Sequence, residues 1–209
     1  MRAGPPDASR RRLLVALLVA IGGPARAGAP ASGSDVSDQH VGGTLALSDP
    51  QGRLRRLADF RGKVVLLFFG YTRCPDVCPT TLLRMAEAWR LLGADAAGVQ
   101  VLWMTVDPER DTRELVGNYV AAFNPGFLGL RGTLAQTNAV ADAFKVHYDV
   151  TYYKDEVLVS HSAHGYLIDG QGRTRVKVDY AATPEQIAQD VRALLAESPG
   201  PRVRATGGR

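Results

Sequence analysis

The only two cysteines of the chain, Cys74 and Cys78, have three residues between them in the segment Gly70-Tyr71-Thr72-Arg73-Cys74-Pro75-Asp76-Val77-Cys78-Pro79. An apolar run (residues 63–70, KVVLLFFG) precedes them, and a helical pattern with Leu82, Leu83, Met85, Ala86 and Trp89 follows from residue 78 to 92. Thiols at a helix N-terminus meet free N–H groups and the positive end of the dipole, which favour thiolate. Thiolate is both the nucleophile of disulfide exchange and a ligand for soft metals, so two chemistries are open. Residues four apart share one face of a helical turn, and both sulfurs can converge on one ion or on each other. The pair has one residue more between its cysteines than the Cys-x-x-Cys of exchange motifs. A purely structural disulfide is disfavoured, because so short a loop restrains little of the unfolded chain.

Two thiolates leave a soft cation a linear or incomplete site, which a borderline donor such as imidazole completes. The chain has four histidines, His40, His147, His161 and His164. His40 lies in a Gly/Ser-rich stretch and reads as a solvated bystander. His147, in Phe144-Lys145-Val146-His147-Tyr148, reads as structural. The contest is between His161 and His164, in Val159-Ser160-His161-Ser162-Ala163-His164-Gly165-Tyr166. Strand alternation puts His164 on one face with Tyr166 and Ile168, and leaves His161 on the preceding loop, free to reach the thiols. The acidic block Asp107–Asp111 has a local explanation: Pro108 marks a strand exit, and Asp111-Thr112 caps a helix.

These residues need a scaffold, and the pattern supplies an α/β one. Strands are expected at residues 44–48 and 53–57 as an N-terminal hairpin turning at Asp49-Pro50-Gln51-Gly52, and at 63–70 and 99–106 as buried central strands. Helices are expected at 78–92, opened by Pro79, up to about 122 after Thr112, and at 133–144. A second hairpin (165–168 and 174–178) precedes a last helix with Thr183 as cap, Pro184 next and Gln186 completing a capping box. An α/β core closed by a hairpin and a helix is the thioredoxin arrangement: a central mixed sheet flanked by helices, here with an N-terminal β-hairpin.

The ends read differently. Residues 1–27 have the parts of an export signal: Arg10-Arg11-Arg12, the apolar core LLVALLVAI, and Ala25-Arg26-Ala27 as a cleavage site. That core is shorter than the roughly 20 residues that span a bilayer, so cleavage is favoured over a retained anchor. The segment Ser9-Arg10-Arg11-Arg12-Leu13-Leu14 also resembles a twin-arginine signal. Residues 28–40 read as a flexible linker, 41–197 as the folded domain and 198–209 as a disordered tail. The expected location is the periplasm or the outer face of the inner membrane. In an oxidising compartment Cys74 and Cys78 pair as a disulfide unless reduced or metallated. The formal net charge of +4 comes from the leader: Arg2, Arg10, Arg11, Arg12 and Arg26 lie before residue 28 against Asp7 alone, and the remainder is neutral. With no clustered Lys/Arg there, a nucleic-acid partner is not expected.

Phe69-Gly70-Tyr71-Thr72-Arg73-Cys74-Pro75-Asp76-Val77-Cys78-Pro79-Thr80-Thr81 resembles the core motif of the Sco/SenC family of copper-delivery proteins. Thr105-Val106-Asp107-Pro108-Glu109-Arg110-Asp111-Thr112, residues 57–63 and residues 127–133 match further segments, and the likeness runs from about residue 40 to 197. It implies a thioredoxin-like copper chaperone that binds copper, as Cu(I) or Cu(II), through Cys74, Cys78 and the histidine five before the Tyr of Tyr-Leu-Ile, which is His161. It further implies delivery to the copper-A site of cytochrome c oxidase subunit II or another copper acceptor, and a thiol reductant protein that keeps the pair open for loading. One departure stands out: the family commonly has Asp before this histidine, and here it is Ser160. No proline lies between Pro125 and Pro184, so the cis-proline that faces the thiols in thioredoxins is missing, which favours metal over general exchange. A thiol–disulfide oxidoreductase acting on the acceptor's cysteines is the alternative. A peroxidase lacks support, since no Thr-x-x-Cys precedes the helix.

Overall fold

The computed structural model describes Met1, residues 29–153 and residues 156–197. The segments read as an export signal (apart from Met1) and as a C-terminal tail lie outside the described residues. In chain order the elements are β1 (Gly33–Asp35), β2 (Ala46–Ser48), β3 (Leu54–Arg56), β4 (Val64–Gly70), α1 (Val77–Leu92), β5 (Val99–Thr105), α2 (Arg113–Ala121), β6 (Leu128–Leu130), α3 (Leu134–Ala143), β7 (Tyr148–Tyr153), β8 (Glu156–His161), β9 (Gly165–Ile168), β10 (Thr174–Val178) and α4 (Pro184–Glu197). Six strands form one mixed sheet in the order β1-β10-β9-β4-β5-β6, with β4, β5 and β6 parallel and the other pairings antiparallel.

The two continuous apolar runs take the centre of this sheet because only there are both faces of a strand covered. Every residue of β4 is buried, and Trp103 of β5, Phe68, Phe69, Phe144 and Tyr166 are the largest fully enclosed side chains. Four helices flank the sheet, and α1 packs on α4. The caps anticipated at Thr112 and Thr183 form: the Thr112 hydroxyl accepts from the Leu115 N–H at 3.1 Å, and Thr183 and Gln186 bond reciprocally; Thr133 and Gln136 make a further capping box. The N-terminal hairpin β2–β3 is a separate two-stranded sheet, its turn gathered by the buried Asp49 carboxylate, which accepts from Arg53 and Arg55.

Three expectations are corrected. The supposed linker, residues 28–40, contains β1, which pairs antiparallel with β10 at the sheet edge. The Asp190 carboxylate on α4 anchors the segment, accepting from the N–H groups of Ala31 and Ser32 and from the Ser32 hydroxyl. Gly and Ser are equally at home in a linker and in an edge strand, and here the strand needs its glycine: a Cβ on Gly33 would stand 1.9 Å from the Lys177 carbonyl oxygen. Helix α1 starts at Val77, not at Pro79; proline is tolerated at the third position because the first four helical N–H groups have no intrahelical partner. Leu83, counted with the apolar face of that helix, is 61% exposed. A third hairpin, β7–β8, was not anticipated at all, and it carries His161 at its end.

Candidate metal centre

Strand β4 ends at Gly70, and the loop that follows delivers Cys74 half-buried and Cys78 fully buried in the first turn of α1. The Cys78 backbone N–H donates to the Cys74 sulfur at 3.4 Å, so a free amide of the helix N-terminus faces a thiol, as the strand–loop–helix order requires. Burial pushes the Cys74 thiol up, but N–H donation from Cys78 and Asp76 outweighs it, and its pKa falls below the ordinary thiol value. Cys78 behaves oppositely. Its burial pushes it far up, against a weaker contribution from the Tyr71 backbone amide. The expectation of two activated thiols therefore holds for Cys74 alone. Both sulfurs are free thiols in this structure.

The loop is held from below by a residue whose role the sequence did not reveal. Asp111 is fully buried, and its carboxylate accepts from the Thr72 N–H at 3.0 Å, the Thr72 hydroxyl at 2.5 Å and the Thr105 hydroxyl at 2.6 Å. The cap of α2 is Thr112 by itself. Asp111 instead ties the start of the cysteine loop to the exit of β5, and Arg131 fastens the same corner by donating to the carbonyls of Asp111 and Pro108. The one available signal was the polar residue Thr105 ending an otherwise apolar strand next to an acidic block.

His161 arrives from the other side. Its Nε2 lies 3.5 Å from the Cys78 sulfur, and its Nδ1 lies 2.9 Å from the Ser162 carbonyl oxygen. A carbonyl can only accept, so Nδ1 carries the proton and the Nε2 lone pair faces the sulfurs. The ring is wedged edge-on between Phe68 and Tyr71, with centroids 6.2 and 6.0 Å away. Burial lowers its pKa and keeps the imidazole neutral, the form that ligates. The hairpin base fixes the ring's origin: Tyr148 is in register with His161, and the Ser162 N–H donates to the His147 carbonyl at 2.9 Å. The Sγ atoms of Cys74 and Cys78 and a ring nitrogen of His161 all lie within 4.8 Å of one another, the one such donor group among the described residues. Two sulfurs and one imidazole nitrogen, without a carboxylate, fit a soft cation of low coordination number.

The other histidines are elsewhere. His164 is turned to Tyr166, its Nε2 2.9 Å from the phenolic oxygen, which itself donates to the Phe144 carbonyl at 2.5 Å. Burial lowers the His164 pKa to about 4. His40 is exposed at a turn, and His147 serves the hairpin base through its backbone. Cys74 and His161 open onto a cleft lined by Tyr71, Pro75, Asp76, Val77, Val159 and Ala163.

Comparison with known proteins places this arrangement. The SCO1/SenC family model matches residues 34–196. The chain belongs to the SCO1/SenC family. It is 41% identical over 159 residues to the mitochondrial SCO2 homolog of Bos taurus, covering 74% of this chain and 59% of that protein's length. Copper-bound ScoI of Bradyrhizobium japonicum is 37% identical, with a TM-score of 0.69 over 74% of this chain and 99% of that one. The apo Sco1 of Thermus thermophilus is 40% identical, with a TM-score of 0.68, covering 74% and 91% of the two chains. The thioredoxin-like α/β fold read from the strand–helix order is the fold of these SCO1/SenC structures.

Proposed function

We propose that this protein is a copper chaperone that carries one copper ion on Cys74, Cys78 and His161. The observation that carries the reading is the convergence of two free sulfurs and an unprotonated imidazole nitrogen within 4.8 Å. The copper bound by the similar ScoI proteins of Bradyrhizobium japonicum and Arabidopsis thaliana supports it. Cu(I) suits the donor set best, and the same ligands admit Cu(II). As each S–Cu bond forms, its thiol proton leaves to solvent. Cys78 holds the ion on the buried side, while Cys74 and His161 face the cleft.

That asymmetry gives a route for transfer. A thiolate of the acceptor enters from the cleft and displaces Cys74 first, and the buried Cys78 lets go last. The acceptor we propose is the copper-A site of cytochrome c oxidase subunit II, or another copper acceptor with thiol ligands. Residues 1–27 export the chain to the periplasm or the outer face of the inner membrane. There the thiols oxidise to a Cys74–Cys78 disulfide that a thiol reductant protein must open, because a disulfide offers no thiolate.

One observation favours a second reading, a thiol–disulfide oxidoreductase: a partly exposed, activated Cys74 beside a buried Cys78 is the division of labour between attacking and resolving thiols. Titration of the reduced chain with Cu(I) against a competing chelator separates the two. The chaperone reading expects one tightly held copper that is lost in His161→Ala and kept in His164→Ala. A chain that holds no copper tightly yet exchanges with disulfides is an oxidoreductase.

A further inference from the structure

Beneath Cys78 lies a buried hydrogen-bond donor with nothing to donate to. Trp103 is fully enclosed in β5, yet its indole N–H has no partner. It stands opposite Phe68 in the parallel register, and Phe68 and Gly70 share a strand face, so the indole lies on the side of the sheet from which Phe68 meets His161. Gly70 shows how close it comes to the sulfur. A Cβ built there would be 2.7 Å from the Cys78 Sγ and 3.0 Å from the Trp103 Nε1, so the sulfur and the indole N–H border the same small space, which a side chain at this position would fill. Tyr119 backs the indole at 5.4 Å, and its hydroxyl too is buried without a partner.

An unpartnered buried N–H is costly, and native structures keep few of them. In the thiol form Cys78 offers this one little, for the sulfur is a weak acceptor and its own proton points to His161 Nε2. Metal binding changes the sulfur's character. When the thiol proton leaves and the S–Cu bond forms, the sulfur becomes an anionic acceptor, and a donor already in place beside it gains a partner.

We propose that Trp103 is a positioning residue for the copper site: its indole N–H, admitted by Gly70, donates to the Cys78 sulfur in the loaded state and sets how strongly that sulfur gives electron density to the metal. This rests on the copper reading above. A hydrogen bond to a ligating cysteine sulfur lowers the energy of the sulfur electrons, and so tunes both the charge-transfer energy and the balance between Cu(I) and Cu(II).

The test uses the reduced full chain in two measurements. The chain has two tryptophans, so an indole ¹⁵N–¹H spectrum shows two signals, assigned with Trp89→Phe. On loading with Cu(I), the Trp103 indole proton is expected to move downfield and to become slower to exchange, while Trp89, packed on Phe127, stays in place. In Trp103→Phe, which keeps the ring and removes the N–H, Cu(I) affinity is expected to fall about tenfold. Its thiolate-to-Cu(II) absorption is expected to move to longer wavelength. A variant that merely loosened the core would lose stability without moving the absorption maximum. An unmoved Trp103 signal in copper-loaded wild type overturns the inference, and so does a folded Trp103→Phe with the wild-type maximum. If Trp103→Phe does not fold, the indole spectrum alone decides. Failure of wild type itself to bind copper sinks the copper reading, and this inference with it.

Discussion

Replacing Asp111 by alanine tests whether the site is held by its scaffold rather than by its ligands. The side chain is fully buried and accepts three hydrogen bonds, from the Thr72 N–H, the Thr72 hydroxyl and the Thr105 hydroxyl. The two hydroxyls can turn to new partners, but the Thr72 N–H points where its geometry sends it and is left unsatisfied. One orphaned buried donor costs about 1–3 kcal/mol, and losing hydrogen bonds to a charged acceptor adds about 1.5–3 kcal/mol for the strongest of them. Relaxation recovers part of this, so a net loss of about 3 kcal/mol is expected. With a urea m-value of about 2 kcal/mol per molar, the unfolding midpoint should fall by about 1.5 M. Because Thr72 lies two residues before Cys74, loosening it should also weaken Cu(I) binding by about tenfold in the protein that remains folded, as loss of an outer support of a metal site does. The assays are equilibrium urea unfolding and Cu(I) competition on the same preparation. A midpoint within 0.2 M of wild type, or an unchanged copper affinity, would refute the assignment of Asp111 as the anchor of the loop; Glu114→Ala on the exposed first turn of α2 serves as the neutral control.

Alkylation of the reduced, metal-free chain should proceed at Cys74 near neutral pH and spare Cys78, because amide donation lowers the first thiol and burial raises the second; Cys74→Ser should abolish the fast phase, and a fast phase that survives in it contradicts the asymmetry. His161 and His164 are both depressed in the fold, so their stabilisation is present above the unfolded value near 6.5 and is lost as pH falls below it, down to about 4 for His164. The apo protein should accordingly lose stability across that window, and His164→Gln should flatten the loss; an equally steep decline in the variant would assign it to other groups. Asp190→Ala should free the N-terminal segment, seen as rapid hydrogen exchange at Ala31 and Ser32, whose N–H groups it accepts, while the amides of β4 stay protected.

Much of this protein is local in its sequence. The apolar run of β4, the two cysteines and the helical spacing of α1 are consecutive, so a strand, a loop of thiols and a helix N-terminus follow from short-range propensity and periodicity alone. The caps at Thr112 and Thr183 are legible for the same reason. The third ligand is not local. Alternation assigns His161 and His164 to different environments, but it cannot say that β7 and β8 form a hairpin, nor that its end comes to rest 3.5 Å from a sulfur 83 positions earlier. Family likeness points to His161 as the third donor, and the fold sets His161 beside the sulfurs and His164 against Tyr166. Asp111 reads as a cap because capping is a short-range pattern, whereas its partner Thr72 is 39 residues away. The Gly/Ser stretch around β1 reads as linker because composition carries no record of the edge that will accept it. Trp103 reads simply as core. That its N–H and the Cys78 sulfur both border the space beside Gly70 depends on the register of two parallel strands and on the absence of a single Cβ, relations that exist only once the chain has folded.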